Sequence, residues 1–380
     1  MERDRLLILL IITLLIGIGL IMIVNSGAYQ RTLDADPGSA FFLKRQLAWI
    51  CISVVALVIV SNIRHEFLTR VSPLLLLGCL GLLALVFVPG FGVVRNHARR
   101  WIRFPGFELQ PAEVAKYGLI LYFAGALASR QRRVARLSTY IELVAVLGIF
   151  LLLVLVQPDL STTLLIAGTV GVMFFCGGVR LRYLGASALL GLPALAFTIL
   201  RSPYQLQRIR AVLDPIRYRF DAGYQQYQAL IALGSGGPFG VGLAESSQKL
   251  GFITYAHNDF IAAIIGEEFG FVGIGALLLL YIALVLLGFR IAFRAPDLRG
   301  TLLAIGITSL IGLQAIIHFG VVSASLPATG LNLPFVSFGG SNLIMNFVGL
   351  GILLNVSRAT ERVPRHQHGV RIRRHGLARA

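Results

Sequence analysis

Charged residues make up only 13% of this 380-residue chain, about half the roughly 25% of an average soluble domain. So few cannot cover a solvated globular surface, which excludes a soluble enzyme or binding module. Cysteine is scarce too: Cys51, Cys79 and Cys176 have neither pairable neighbours nor metal-ligand spacing. All three fall in apolar runs, where free, buried, inert thiols are expected. The first apolar run, LLILLIITLLIGIGLIMIVN, follows only MERDR and lacks a small-residue cleavage site, so it reads as a retained span rather than a secretory signal. No fixed-period repeat, soluble domain or long low-complexity segment stands out.

What the chain has instead is apolar sequence, 56% hydrophobic residues with a mean hydropathy of +0.80. A bilayer-spanning helix needs roughly 20 mostly apolar residues. About ten segments qualify, near 6–25, 46–63, 71–90, 111–129, 139–156, 160–178, 184–200, 266–289, 301–323 and 341–357. The expected fold class is an all-α polytopic membrane protein of about ten transmembrane helices, with a large outer loop, 201–257, between the seventh and eighth. Residues 1–357 form the transmembrane domain and 358–380 a basic tail.

The net charge of +17 suggests nucleic acid until its distribution is read. With alternating spans and an internal N-terminus, the inner segments carry 20 Lys and Arg in 57 residues, the outer ones 13 in 117. That bias is the positive-inside pattern, so both termini are expected in the cytoplasm. The tail RHQHGVRIRRHGLARA then lies against anionic lipid, and no nucleic-acid partner is expected.

Ionisable residues in and near spans are costly, and by default they mark function. Glu113 and Lys116 in QPAEVAK share one helical face; they read either as an ion pair joining helices or as the polar floor of a head-group cavity. NHARRWIRF sets Arg99, Arg100 and Arg103 around Trp101 on the outer side, as lipid anchors or as guanidinium forks for phosphate. In QPDLSTT, Asp159 or Ser161 fits a helix N-cap after Pro158. TYAHNDFIAAIIGEEFG places His257, Asn258 and Asp259 at the mouth of a span, with Glu267 and Glu268 about 12 Å inward if the helix starts at Asn258. Asn258 or Asp259 is a cap or a working group, and the glutamate pair calls for a cation, a proton or water. The outer loop includes a helical stretch, YQQYQALIAL, and a glycine-rich turn or re-entrant piece, GSGGPFGVG; a loop so long without its own domain is usually functional. The segment SASLPATGLNLPFVSFGGSN needs burial or a wet cavity around its irregular backbone.

Seven segments in this order, FFLKRQLAW, VPGFG with NHARRWI, QPAEVAKY, QPDLSTT, DPIRYRFDAGYQQYQALIALGSGGPFGVGLAESSQK, HNDFIAAIIGEEFG and LPATGLNLPFVSFGGSN, resemble the SEDS family (shape, elongation, division and sporulation proteins) across nearly all ten spans. FFLKRQ and GVGLAESSQK favour its division-type members over the elongation type. The resemblance implies a peptidoglycan glycosyltransferase that polymerises lipid II at the outer face of the bacterial cytoplasmic membrane and releases undecaprenyl pyrophosphate. A class B penicillin-binding transpeptidase and other division proteins are the implied partners. The family's essential aspartate falls on Asp259, its intramembrane pair on Glu113 and Lys116, and the arginine before its tryptophan on Arg100.

Asp259 is thus the expected general base. Arg100, backed by Arg208 and Arg210, faces the leaving pyrophosphate, and His257 and Ser337 complete the substrate-binding set. A divalent cation, Mg or Mn, suits a pyrophosphate but is encoded by no ligand cluster. The chain departs from the family at Tyr255, where an acid is usual, at Thr254 for proline, at Phe338 for tyrosine, and at Asn342 in the Ser341–Asn342 pair. A lipid II flippase and a non-catalytic scaffold for the transpeptidase are the alternative readings.

Overall fold

A computed structural model describes residues 1–27, 39–95, 98–104, 107–248 and 258–362. Its elements in chain order are α1 (Glu2–Gly27), α2 (Ser39–Asn62), α3 (His65–Leu85), β1 (Gly92–Arg95), β2 (Ala98–Phe104), β3 (Phe107–Leu109), α4 (Pro111–Ser129), α5 (Leu137–Val156), α6 (Leu160–Cys176), α7 (Leu181–Arg201), α8 (Pro203–Leu213), α9 (Tyr224–Gly236), α10 (Ile261–Arg294), α11 (Leu298–Val322) and α12 (Gly340–Arg362). Every apolar run of the sequence is a helix, because in lipid each backbone N–H and C=O must be paired within the segment. Eight of these helices are long and apolar enough to cross a membrane. The other two are α6, at 17 residues, and α4, which carries Glu113 and Lys116 in its first two turns. The chain is a multi-pass membrane protein.

The core lies around α4, α11 and α12. Helix α4 packs against α3, α5, α6, α11 and α12, while α12 also lies along α2, and α10 against α9 and α11. Large side chains such as Tyr117, Phe123, Phe174 and Phe335 are fully buried there. Helix α7 buries no residue and is left to face lipid. Helix starts follow local chemistry: Pro111 opens α4, Asp159 caps α6 through the Thr162 N–H at 3.1 Å, and Asp297 caps α11 through Gly300 at 2.9 Å.

One expectation needs correction: only Cys79 is buried, while Cys51 and Cys176 are exposed. Helix α10 begins at Ile261 behind Phe260, with no side-chain cap, so the capping alternative for Asn258 and Asp259 falls away. The fold is all-α as expected, with one short addition between α3 and α4, where β1, β2 and β3 pair antiparallel in that order. The 224–233 stretch is helical as expected, within α9. Because helices alternate in direction, this sheet, α8, α9, the 157–159 corner and the 323–339 segment gather at one end of the bundle. The C-terminus of α4 and the N-termini of α3 and α11 lie at the other.

Candidate active site

The eighth apolar run is not one continuous helix. Gly270 has φ 65° and ψ −161°, a conformation open to glycine and strained for other residues. The glycine-rich segment after α9 is laid into that break. The Val241 and Gly242 N–H groups donate to the carbonyls of Glu267 and Glu268 at 2.9 and 3.1 Å, and those of Phe271 and Val272 donate to Gly237 and Pro238 at 2.9 and 3.1 Å. Gly240, also at positive φ, approaches so closely that a Cβ would collide with the Glu268 carbonyl. GSGGPFGVG is therefore a re-entrant piece whose polar backbone is satisfied by a broken helix.

The two glutamates are held by protein donors, which corrects the expectation of a cation, proton or water. Buried Glu267 accepts from the Ser247 N–H at 3.0 Å, its hydroxyl at 2.9 Å and the Gln248 N–H at 3.3 Å, and from the Ser246 hydroxyl. Glu268 accepts from Asn25 Nδ2 of α1 at 2.6 Å. Glu267 thus clasps the segment that leads toward Asp259.

The 323–339 segment survives at membrane depth because side chains cover its carbonyls. Gln226 Nε2 donates to Leu326 at 2.7 Å, Arg208 to Ala328 at 2.6 Å, and Gln314 to Asn332 at 2.7 Å. His318 Nδ1 lies 3.0 Å from the Leu331 oxygen, and the Tyr281 hydroxyl donates to Pro334. Ser337 accepts from the Leu333 N–H at 2.9 Å and donates to the Asn258 carbonyl at 2.6 Å. The sequence reading missed Gln226, Gln314 and Tyr281; Gln314, a lone amide in the apolar helix α11, is the one with a signal in the sequence, whereas Gln226 stands among other glutamines of α9 and Tyr281 is one aromatic in an apolar run.

Asp259 is half-buried where these segments converge. Its Oδ2 lies 3.5 Å from where a Cβ at Gly330 would stand, an ordinary contact, and Gly330 has φ 60°, so a larger residue there would be strained by its backbone beside the carboxylate. Loss of hydration pushes the Asp259 carboxyl up to about 6, while the guanidinium groups of Arg208 and Arg100 draw it back down. Arg208 lies over the Tyr204 ring, 4.3 Å from its centroid, and burial lowers its own pKa. Arg100 reaches the site from the sheet. Ala98 and Ile102 are buried while Arg99 and Arg103 are exposed, and the two-residue period of a strand puts Arg100 on the buried side. Its Nε donates to the Gln157 carbonyl at 3.2 Å, Nη2 donates to Pro158, and Nη1 is 3.9 Å from Asp159. QPD is the bracket that aims this arginine.

The structure sets Arg208 and Arg100 within electrostatic reach of Asp259 and ties Ser337 to the Asn258 carbonyl beside it. Arg210 is exposed on α8 and takes no part in that cluster. Glu113 and Lys116 form a buried pair at 2.8 Å. Lys116 also donates to Gln314 at 3.3 Å, and Asn342 donates to Glu113 at 3.0 Å and accepts from Asn346 at 2.7 Å. This network joins α4, α11 and α12 beneath the 323–339 segment. His257, Thr254 and Tyr255 lie outside the described residues. Among the described residues no group of three or more His, Cys, Asp or Glu is placed to hold a metal.

Comparison with known proteins places these features in context. The sequence model of the FtsW/RodA/SpoVE cell cycle proteins matches residues 5–362. A probable peptidoglycan glycosyltransferase FtsW of Geobacter metallireducens is 40% identical over 364 residues, 96% of this chain and 97% of the relative. Stage V sporulation protein E of Bacillus subtilis is 39% identical over 354 residues, 93% and 96% of the two chains. Among solved structures, a chain described under structural coordination of polymerization and crosslinking by a peptidoglycan synthase complex superposes with a TM-score of 0.78 at 30% identity, covering 94% of this chain and 98% of that one. The rod shape determining protein RodA of Thermus thermophilus gives 0.68 at 28% identity, covering 94% and 97%.

Proposed function

The chain belongs to the FtsW/RodA/SpoVE family of cell cycle proteins, and from that premise we propose that it is a peptidoglycan glycosyltransferase using Asp259 as its base. Lipid II is the substrate, polymerised at the outer face of the bacterial cytoplasmic membrane during cell division, with both termini of the chain in the cytoplasm. The observation that supports the site assignment is that Asp259 sits against Gly330 of the 323–339 segment, to which Arg208 is also bound at Ala328, with Arg208 and Arg100 within electrostatic reach of the carboxylate.

The reaction joins an acceptor sugar hydroxyl to the anomeric carbon of a lipid-linked donor. The hydroxyl is a weak nucleophile at neutral pH, and a placed base contributes about 10²–10⁴-fold. Asp259 takes the hydroxyl proton as the new C–O bond forms. The bond from the anomeric carbon to the pyrophosphate breaks with inversion, and the electron pair leaves on undecaprenyl pyrophosphate. A carboxyl near 6 is stronger as a base than an ordinary aspartate, yet is mostly ionised at pH 7. Arg208 and Arg100 are already in place and meet the charge that develops on the leaving group, which avoids reorganisation at the moment of reaction. Glu113 and Lys116 support the floor through the contacts of Gln314 with the 323–339 segment.

A class B penicillin-binding transpeptidase that crosslinks the new strand is the proposed partner, alongside other division proteins. The decisive experiment is lipid II polymerisation by the purified protein with that partner, its transpeptidase blocked, comparing wild type with Asp259→Asn and Asp259→Ala. Glycan strands from wild type and none from variants that still hold the partner are expected. Polymerisation by the variants overturns the base assignment. A silent wild type favours the flippase or scaffold, and a lipid translocation assay separates those two.

A further inference from the structure

At the end of the bundle opposite Asp259, a cavity of about 300 Å3 opens between α3, α4 and the start of α11. That size is at the lower edge of ligand sites, roughly 300–1,000 Å3. It is lined by three arginines from three separate parts of the chain, Arg70 of α3, Arg130 just after α4, and Arg299 in the first turn of α11, with Thr69, Tyr122 and Ser129 between them. The proposed catalytic chemistry uses none of these residues.

Two features make this a built recess rather than a gap. Gly125 brings α4 so close to α3 that a Cβ there would stand 3.1 Å from the Thr69 carbonyl oxygen, which seals the helices together on one side. Pro73 lies inside α3 and has no N–H to give the Thr69 carbonyl four residues back; the Ser72 hydroxyl takes that carbonyl instead, at 2.9 Å.

The charges are only partly answered from within. Arg130 pairs with Glu142 at 2.8 Å, and Arg299 feels Asp297, whose carboxylate already caps α11 at Gly300 and meets His65 at 3.3 Å. Arg70 has no acidic partner among the described residues, and the Tyr122 hydroxyl has no hydrogen-bond partner among them. The hydroxyls of Thr69 and Ser129 donate to carbonyls of their own helices, so the donors left for a ligand are guanidinium groups and one phenol. Guanidinium forks match phosphate oxygens two at a time. The positive-inside bias puts this end at the inner leaflet, and basic recesses between helices at that level take phosphorylated head groups.

We propose that this cavity is a binding site for a phosphate-bearing anion, the head group of an inner-leaflet anionic phospholipid or a soluble phosphate, held by Arg70 and Arg299 with Arg130 and Tyr122 beside them. The site is independent of the glycosyltransferase reading and is tested without it.

The test is a binding isotherm on the purified, delipidated full chain in neutral detergent. A fluorescent short-chain phosphatidylglycerol is the probe, with phosphatidylcholine and inorganic phosphate as competitors at constant ionic strength. Saturable binding, not displaced by phosphatidylcholine, is expected. Arg70→Gln with Arg299→Gln should weaken it by at least about tenfold, since each charge-assisted bond is worth roughly that much. Arg132→Gln, an exposed arginine outside the cavity, should leave it unchanged. The Lys pair, Arg70→Lys with Arg299→Lys, keeps charge without the fork and should fall between, so the proposal stays testable if the Gln pair misfolds. Displacement by millimolar phosphate assigns the site to a soluble phosphate; resistance assigns it to the lipid. Equal binding of phosphatidylcholine, or an equal loss in Arg132→Gln, overturns the proposal.

Discussion

The Ser337 hydroxyl donates to the carbonyl oxygen of Asn258 at 2.6 Å, joining segments 79 residues apart at the position just before Asp259. It also accepts from the Leu333 N–H at 2.9 Å, so one side chain locks the 323–339 segment and the entry to α10 in register. Ser337→Ala leaves the carboxylate intact but frees its backbone. Because small misplacements of reacting groups cost as much as about 10²-fold, lipid II polymerisation should fall by about 10–100-fold. The partner complex and the thermal midpoint should change little, and Ser337→Thr should recover part of the rate. Full activity in the alanine variant would show that Asp259 is held by other contacts.

The pH dependence follows from the causes acting on Asp259. A base must be deprotonated, so the rate should rise tenfold per pH unit below about 6 and level off above it. Arg208 lowers the Asp259 pKa; removing that cation in Arg208→Gln should move the acid limb to higher pH, as well as lowering the plateau. Initial rates from pH 4.5 to 8.5 for both proteins give the two limbs, and an unmoved limb would separate Arg208 from Asp259.

Glu113 and Lys116 are buried together at 2.8 Å, and breaking such a pair by removing one partner costs roughly 3–5 kcal/mol. Glu113→Gln and Lys116→Met should each lower the thermal midpoint sharply. The double variant should recover much of that loss, since no uncompensated charge remains. Polymerisation by the double variant then separates the two roles: recovered activity means the pair joins helices, and persistent inactivity at restored stability means it supports the substrate. The check is a midpoint and a rate for all four proteins of the cycle.

Gly240→Ala would place a methyl group against the Glu268 carbonyl at a positive φ of 86°. Strained backbone of this kind costs about 1–3 kcal/mol, and the collision adds to it, so the re-entrant piece should leave the break at Gly270. A lower midpoint and faster proteolysis between α9 and α10 are expected. Gly234, with open space around it, is the comparison site, where alanine should be silent.

Much of this architecture is legible without coordinates. Apolar runs such as 139–156 and 301–323 correspond to α5 and α11 within a few residues, because lipid leaves the backbone no alternative to a helix. Asp159 is legible as a cap because its partner, the Thr162 N–H, is local. The sheet carrying Arg100 is not, since its short strands are surrounded by spans and their pairing depends on contacts beyond neighbouring residues. The glutamate pair was misread for a similar reason: two acids in an apolar run look short of partners until Ser246–Gln248 and Asn25 are brought alongside.

The sequence by itself determined the membrane class, the number of apolar helices and the direction of charge bias, all of which depend on composition and local period. It also carried the motif order that marks the family. Only the tertiary structure decided that Arg210 is exposed while Arg208 and Arg100 lie within electrostatic reach of Asp259. Only it decided that α10 is broken to receive a glycine-rich loop, and that three arginines distant in the chain line one cavity. Those relationships join residues far apart in sequence, and their energies depend on distance, direction and lost hydration, which exist only once the helices have packed.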